Sequence, residues 1–112
     1  MTTAANDSGA LPWPATAGAA PRFIRFRGRD TLSLRQIDEL NGVPKGTAFR
    51  HFKARRAWLA EGSDFFRLDA AAHAERIAEL RAGGQIYAST VHLVLLTEPG
   101  YRRLLQPLPD GV

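Results

Sequence analysis

The chain has 112 residues, enough for one small domain, and its 45% hydrophobic and 23% charged residues are ordinary for a globular protein. It has no cysteine, which excludes disulfide bonds, thiol nucleophiles and cysteine-ligated zinc, and no apolar run is long enough to cross a membrane. Because the first residues also lack the pattern of a signal peptide, we expect a cytoplasmic protein, and the net charge of +4 favours a polyanionic partner.

The first 21 residues contain seven alanines and three prolines, with Asp7 as the single charged side chain. No helical or alternating period runs through them, so we predict a disordered tail over 1–21. Beyond it we expect one folded domain over residues 22–105 and a short tail over 106–112. Trp13, between two prolines, either packs on the domain, docks a partner or is a bystander.

Residues 22–27 alternate imperfectly between basic and apolar side chains and predict a short strand. The strand points Arg25 and Arg27 outward, where they either grip a phosphate backbone or serve as solvated residues of an edge strand. Gly28 ends the strand, and we expect residues 29–30 to turn the chain.

Ser33 begins a helix with complete capping signals. Ser33 and Gln36 form the pattern of a capping box, and Gly42 supplies the left-handed residue that stops the helix after about two turns. Pro44 suits the first turn of a second helix, where its missing N–H has no cost. In that second helix we expect Phe52 to belong to the core.

The second half of the chain predicts alternating strands and helices. A short strand over 65–68 is followed by a helix over 69–82, capped by its first residue. Residues 87–96 are predicted as a strand, and exposed apolar residues near 91–96 are expected to form a dimer interface. Thr97 caps a final short helix. This order predicts an α+β fold: a small helix-turn-helix domain with a short antiparallel sheet and one or two further helices.

Cationic residues are concentrated on the predicted second helix and just after it. Residues 22–59 carry a net charge of +7, whereas residues 60–112 carry −2. A solvated helix face normally carries charges of both signs, so a role in neutralising phosphates is the better explanation of a stretch with one sign. The simpler alternative is that the nucleotide composition of the gene favours arginine codons. Between Leu40 and Ala60 the basic residues, with no acidic residue among them, are Lys45, Arg50, Lys53, Arg55 and Arg56.

Two short helices joined by residues 41–44 have the arrangement of a helix-turn-helix, whose second helix enters the major groove of DNA. The segment 42–53 reads Gly-Val-Pro-Lys-Gly-Thr-Ala-Phe-Arg-His-Phe-Lys. It resembles the turn and recognition helix of the tetracycline-repressor family. The resemblance covers about thirty residues, so neither the dimerisation helices of that family nor its small-molecule inducer is carried over.

The same resemblance implies roles for individual side chains. Lys45 and Thr47 would approach bases and phosphates, and His51 and Lys53 would contact phosphate. Phe49 stands where the family has a tyrosine that contacts the DNA backbone.

A second resemblance covers residues 22–105. The helix-turn-helix is followed by the strand Asp-Phe-Phe-Arg-Leu at 64–68 and then by the segment Thr-Glu-Pro-Gly at 97–100. This order of motifs resembles that of the small N-terminal DNA-binding domains of phage antirepressors, the ORF-six N-domain group, which is related to the KilA-N and Bro-N domains. The resemblance implies a regulator of phage, prophage or mobile-element type, and antirepressor activity itself is not carried over.

Taken together, these features predict a sequence-specific transcriptional regulator that binds double-stranded DNA as a homodimer associated with the nucleoid. The alternatives are an adaptor or decoy that binds a host protein through the same scaffold, and an RNA-binding protein. No spacing of histidines and carboxylates supports a catalytic or metal site, so we expect neither an enzyme nor a cofactor. The predicted DNA-binding residues are Lys45, Gly46, Thr47, Phe49, Arg50, His51, Lys53, Arg55 and Arg56, with Arg25 and Arg27 beside them.

Overall fold

The computed structural model describes residues 22–106, in which four antiparallel strands form one sheet with four α-helices and a 3₁₀ helix around it. The α+β class predicted from the sequence is confirmed. Apart from Gln106, the predicted tails over 1–21 and 106–112 lie outside the described residues. In chain order the elements are β1 (Ile24–Phe26), β2 (Arg29–Ser33), α1 (Leu34–Asn41), α2 (Thr47–Ala54), the 3₁₀ helix (Arg56–Trp58), β3 (Phe65–Leu68), α3 (Ala74–Ala82), β4 (Leu93–Leu96) and α4 (Glu98–Leu104).

The sheet has the strand order β1-β2-β4-β3, and both of its faces are covered. On one face, α1, α2 and α4 pack against side chains that include Leu32, Phe65 and Leu96. On the other face, α3 packs against a second cluster that includes Phe66 and Leu95. Neighbouring residues of one strand therefore point into different cores, as expected for a strand whose side chains alternate between faces.

The first hairpin turns two residues earlier than predicted. Arg27 and Gly28 form the two-residue turn with φ of 50° and 77°, the pair of left-handed residues that a type I′ hairpin requires. Arg29 and Asp30, expected to turn the chain, instead pair with Phe26 and Arg25 as the start of β2. The prediction was wrong because Gly28 is part of the turn and does not merely end a strand.

Helix α1 forms as the sequence predicts. The Ser33 side chain accepts from the Gln36 N–H at 3.1 Å, and the Gln36 side chain accepts from the Ser33 N–H at 3.0 Å, which completes the capping box. Gly42 ends the helix in the left-handed conformation, with φ of 63°. Ile37 is buried, whereas Leu34 and Leu40 are half-buried at the edge of the same core layer.

Helix α3 is shorter than predicted. It begins at Ala74, five residues after the predicted cap at Asp69. The Asp69 carboxylate accepts from the N–H groups of Ala71 and Ala72 at 3.1 and 3.2 Å, and these bonds lower the pKa of that carboxyl group. The aspartate therefore closes a separate turn ahead of the helix.

Strand β4 is also shorter than predicted, covering Leu93–Leu96 in place of 87–96. All four of its residues are buried because β4 lies in the middle of a sheet covered on both faces, which also explains why they do not alternate. The predicted dimer surface near 91–96 is wrong for these residues. Val91, in the loop before the strand, is the residue of that segment with a large exposed apolar side chain, 62% exposed.

Candidate nucleic-acid interface

The buried edge of α2 anchors it to the helical layer. Ala48 and Phe52, four residues apart, are buried in the cluster that also contains Ile37 of α1. The Phe52 ring meets the Phe65 ring nearly edge-on, with the ring centroids 5.0 Å apart. The prediction that Phe52 belongs to the core is confirmed, and its anchoring decides which side of α2 faces solvent.

The opposite edge of α2 carries Phe49, Arg50 and Lys53, all exposed. Phe49 is 48% exposed, and the Lys53 ammonium lies 5.3 Å from the centroid of its ring. The Arg50 guanidinium reaches back to the start of the helix, where Nη2 donates to Thr47 Oγ1 at 3.3 Å. One aromatic ring and two cations therefore share a strip of surface, which we call the α2 strip.

Thr47 and His51 lie on the flank of this strip. Both are half-buried and line a cleft of about 240 Å³ with Leu104 of α4 and with Val43 of the segment between α1 and α2. The Thr47 hydroxyl is also engaged, since it donates to the Pro44 carbonyl at 2.8 Å. Of the α2 residues predicted to contact DNA, these two are the least accessible.

Helix α2 begins at Thr47, three residues later than predicted. Gly46 precedes it in the left-handed conformation, with φ of 94°, and the Thr47 N–H bonds to the Pro44 carbonyl at 3.1 Å. The prediction that Pro44 occupies the first turn of the helix is wrong, because a left-handed residue cannot continue a right-handed helix.

A buried carboxylate covers the start of α2. Asp38 of α1 is 1% exposed, and its two carboxylate oxygens accept from the Gly46 N–H at 3.0 Å and from the Ala48 N–H at 2.7 Å. An acidic side chain at this position satisfies N–H groups that a helix leaves unpaired at its start. This helix start therefore does not offer those two N–H groups to a phosphate, since the Asp38 carboxylate already holds them.

Tyr87 joins this arrangement from the loop before β4. Its hydroxyl donates to Asp38 Oδ2 at 2.5 Å, and burial together with that bond raises the pKa of Tyr87 to about 12. The Lys45 ammonium lies 5.0 Å from the centroid of the Tyr87 ring. Sequence reasoning missed both Asp38 and Tyr87, because no local spacing connects residues separated by ten and 49 positions.

The cations of this region lack acidic partners in the described part of the chain. Among residues 22–106, six basic side chains, five arginines and His92, lie within 4.0 Å of a carboxylate, and none of them belongs to this region. Asp38, the nearest acid in α1, is used within the fold. The exposed cations that form this unneutralised surface are Lys45, Arg50, Lys53 and Arg56.

Arg55 and Arg56 differ in their availability. Arg55 is half-buried, and its guanidinium donates to the carbonyl oxygens of Gln106 and His51 at 2.9 and 3.4 Å. Arg56 is exposed, with its guanidinium carbon 4.7 Å from the centroid of the Phe65 ring. Arg56 therefore extends the cationic surface, while Arg55 mainly ties the end of α2 to the residues after α4.

The structure does not bring Arg25 and Arg27 to the α2 strip. Arg25 lies on the edge strand β1 and forms an ion pair with Asp30 across the hairpin, at 3.0 Å. The Arg27 guanidinium stacks over Phe26 and Phe66, which belong to the core on the α3 side of the sheet. Of the two interpretations left open by the sequence, the structure favours a residue of an edge strand for Arg25, while Arg27 lies in the hairpin turn.

The described residues offer neither a metal-binding cluster nor a membrane-spanning helix. Residues 22–106 contain no group of three or more histidine and carboxylate side chains placed to hold a metal ion. In the same residues, no helix is both long and apolar enough to cross a membrane.

Comparison with known proteins found no match to a protein-family model, to a curated protein or to a solved structure. The two resemblances noted in the sequence motifs therefore stay predictions.

Proposed function

We propose that this protein is a transcriptional regulator, of the phage or mobile-element type, that binds double-stranded DNA through the α2 strip and the neighbouring cations Lys45 and Arg56. The observation that carries the proposal is the set of exposed cations, Lys45, Arg50, Lys53 and Arg56, without a carboxylate partner among residues 22–106. Such a surface gains free energy when it releases the counterions condensed on a phosphate backbone.

The strip also has a shape suited to the proposal. The buried pair Ala48 and Phe52 leaves one edge of a two-turn helix in solvent, and a major groove about 12 Å wide admits such a helix. Because Asp38 occupies the N–H groups at its start, contacts to DNA come from side chains and not from the helix N-terminus. Arg50 and Lys53 then contact phosphates, and Lys45, at the entrance of the helix, is the candidate for contacts to bases.

The mechanism is tested by measuring how binding depends on salt. Fluorescence anisotropy with a short labelled duplex should give a slope of log K against log salt near −3.6, because four exposed cations each release about 0.9 counterion. A binding constant that does not change between low and physiological ionic strength would exclude this mechanism. RNA of the same sequence serves as the competitor that tests the nucleic-acid class.

Charge reversal locates the interface. Arg50→Glu and Lys53→Glu should each weaken binding about tenfold or more and lower the salt slope by about one. The matched control is Arg76→Glu, an equal change of charge on α3, which packs on the other face of the sheet. If the control weakens binding as much as the α2 variants do, the contact is a general attraction to positive charge and the proposed interface is wrong.

The regulator is proposed to act as a homodimer, because one small helix-turn-helix unit contacts only one half-site. Selection of bound sequences from a randomised duplex pool tests this together with sequence specificity. A dimer should enrich two copies of a half-site in inverted orientation, while a monomer should enrich one. Light scattering at micromolar concentration gives the oligomeric state independently.

A further inference from the structure

A groove of about 370 Å³ lies beside the start of α2, between that helix and the loop that leads into β4. The two large hydrophobic side chains that are exposed in the described chain, Phe49 and Val91, both line it. A monomeric protein usually scatters its exposed apolar side chains, so their convergence on one concave surface indicates a binding site.

The charged residues of the groove are both basic. Arg35 and Lys45 line it, and no carboxylate does so among the described residues. Arg35 is bound to Glu39, with Nε 3.0 Å from Oε2, whereas Lys45 has no carboxylate partner in the described chain. Lys45 therefore places one unneutralised positive charge at the edge of an apolar surface.

We propose that this groove binds a small organic anion with a flat apolar body, such as an aromatic carboxylate. The apolar body lies against Phe49 and Val91, and the carboxylate lies beside the Lys45 ammonium. The volume falls within the range of about 300–1,000 Å³ typical of small-molecule sites, and an apolar lining with few charged groups is their usual composition.

Charge and polarity argue against the other occupants. A second copy docked groove to groove across a twofold axis would bring the Arg35 and Lys45 side chains of both copies into one interface without a lining carboxylate to pair with them, which costs free energy. A phosphate backbone lying inside the groove would leave Val91 without apolar contacts and would use only the lysine. An anion with an apolar body satisfies both kinds of lining.

Binding is tested with three naphthalene ligands that share one apolar body and differ in charge: naphthoate, naphthalenemethanol and naphthylmethylammonium. In NMR titrations, naphthoate should shift the amide resonances of residues 45–49 and 86–94 and should bind at least tenfold more tightly than the ammonium ligand. Equal binding of the three ligands, or no shift with naphthoate at millimolar concentration, would overturn the proposal.

Two substitutions at exposed positions locate the anion. Lys45→Gln keeps most of the side-chain length and removes the charge, so it should weaken naphthoate at least fivefold while naphthalenemethanol is unaffected. Val91→Asp puts an acid at the rim and should reverse the preference in favour of the ammonium ligand. Arg76→Gln, on the other side of the sheet, is the control that should change neither. If Lys45→Gln and Val91→Asp both bind naphthoate like the unmodified protein, the groove is not its site.

The bound anion would cover Lys45 and Phe49, which the proposed function assigns to DNA binding. The anion should therefore compete with DNA, an expectation that rests on the proposed function. Saturating naphthoate should weaken duplex binding at least fivefold, and the Val91→Asp variant should be resistant to that effect. If the NMR titration succeeds and the protein binds no DNA at all, the groove is retained and the proposed function fails. If DNA binds equally with and without naphthoate, the anion site is not coupled to the interface.

Discussion

Asp38 and Asp64 are both buried, at 1% and 4% exposure, and both bond to the start of a helix, but they do so in different ways. Asp38 uses its side chain, whose carboxylate holds two backbone N–H groups at the start of α2. Asp64 uses its backbone, whose carbonyl oxygen accepts from both the N–H and the hydroxyl of Thr97, each at 3.0 Å, at the start of α4. The side chain of Asp64 bonds elsewhere, accepting from the Ala60 N–H at 2.9 Å.

The comparison separates two ways of positioning a helix. The start of α2 depends on which side chain stands at position 38, so a substitution there removes the support directly. The start of α4 depends on the backbone path at position 64 and on how closely residue 100 can approach it. We therefore expect substitution at 100 to affect α4 more than any change of the Asp64 side chain.

The largest effect is expected from Gly100→Ala. A Cβ atom at residue 100 would lie 1.8 Å from the Asp64 carbonyl oxygen, a backbone atom that cannot rotate away. The two elements would have to separate, at an expected cost of about 3–5 kcal/mol in the free energy of unfolding. Urea unfolding followed by circular dichroism measures it. Gly83→Ala is the control, since its φ of −81° is ordinary and its added Cβ stays 3.4 Å or more from its neighbours. Equal stability of the two variants would show that the contact at 100 is not required.

The next largest effect is expected from Asp38→Ala. The substitution leaves the N–H groups of Gly46 and Ala48 and the hydroxyl of Tyr87 without their acceptor, which should destabilise the protein by about 2–3 kcal/mol. Amide hydrogen exchange should accelerate first at Gly46 and Ala48 if the loss is local to α2. Asp30→Ala, which breaks only an exposed ion pair with Arg25, should change stability by less than about 0.5 kcal/mol.

Substitution of the Asp64 side chain is expected to have a smaller effect than substitution of Asp38. Asp64→Asn keeps an oxygen that can accept from the Ala60 N–H and loses only the ion pair with Arg103, whose N···O distance is 3.7 Å. Because that arginine is mostly exposed, the expected cost is about 0.5–1 kcal/mol. Asp38→Asn should cost more, because an amide has one oxygen and cannot accept from both N–H groups as the two carboxylate oxygens do. Chemical denaturation of both asparagine variants under one set of conditions gives the order. An Asp64→Asn variant less stable than Asp38→Asn would contradict the distinction between side-chain and backbone support.

The same distinction explains how much of the molecule the sequence could predict. The caps Ser33 and Thr97 and the stop at Gly42 were predicted because each acts within about four residues of the backbone it satisfies. The cationic surface of α2 was predicted from charge counting, since exposed charges need no partner to be recognised. Asp38 was missed because its three hydrogen-bond partners come from two other segments. Gly46 was placed inside the helix, although it precedes the helix in a left-handed conformation and donates its N–H to Asp38.

An effect about as small as that of Asp64→Asn is expected from Tyr87→Phe, which removes one of the three hydrogen bonds to Asp38 and keeps the two that hold α2. At neutral pH the expected cost is about 1 kcal/mol. The folded pKa of about 12 lies above the ordinary value of about 10, so the neutral hydroxyl is favoured in the folded state. Its contribution is therefore complete below pH 10 and is lost as the pH rises from 10 to 12. The difference in unfolding free energy between the unmodified protein and Tyr87→Phe should shrink over that interval, and titrations that act equally on both proteins cancel. A difference that stays constant from pH 9 to 12 would show that the hydroxyl does not support the carboxylate at the start of α2.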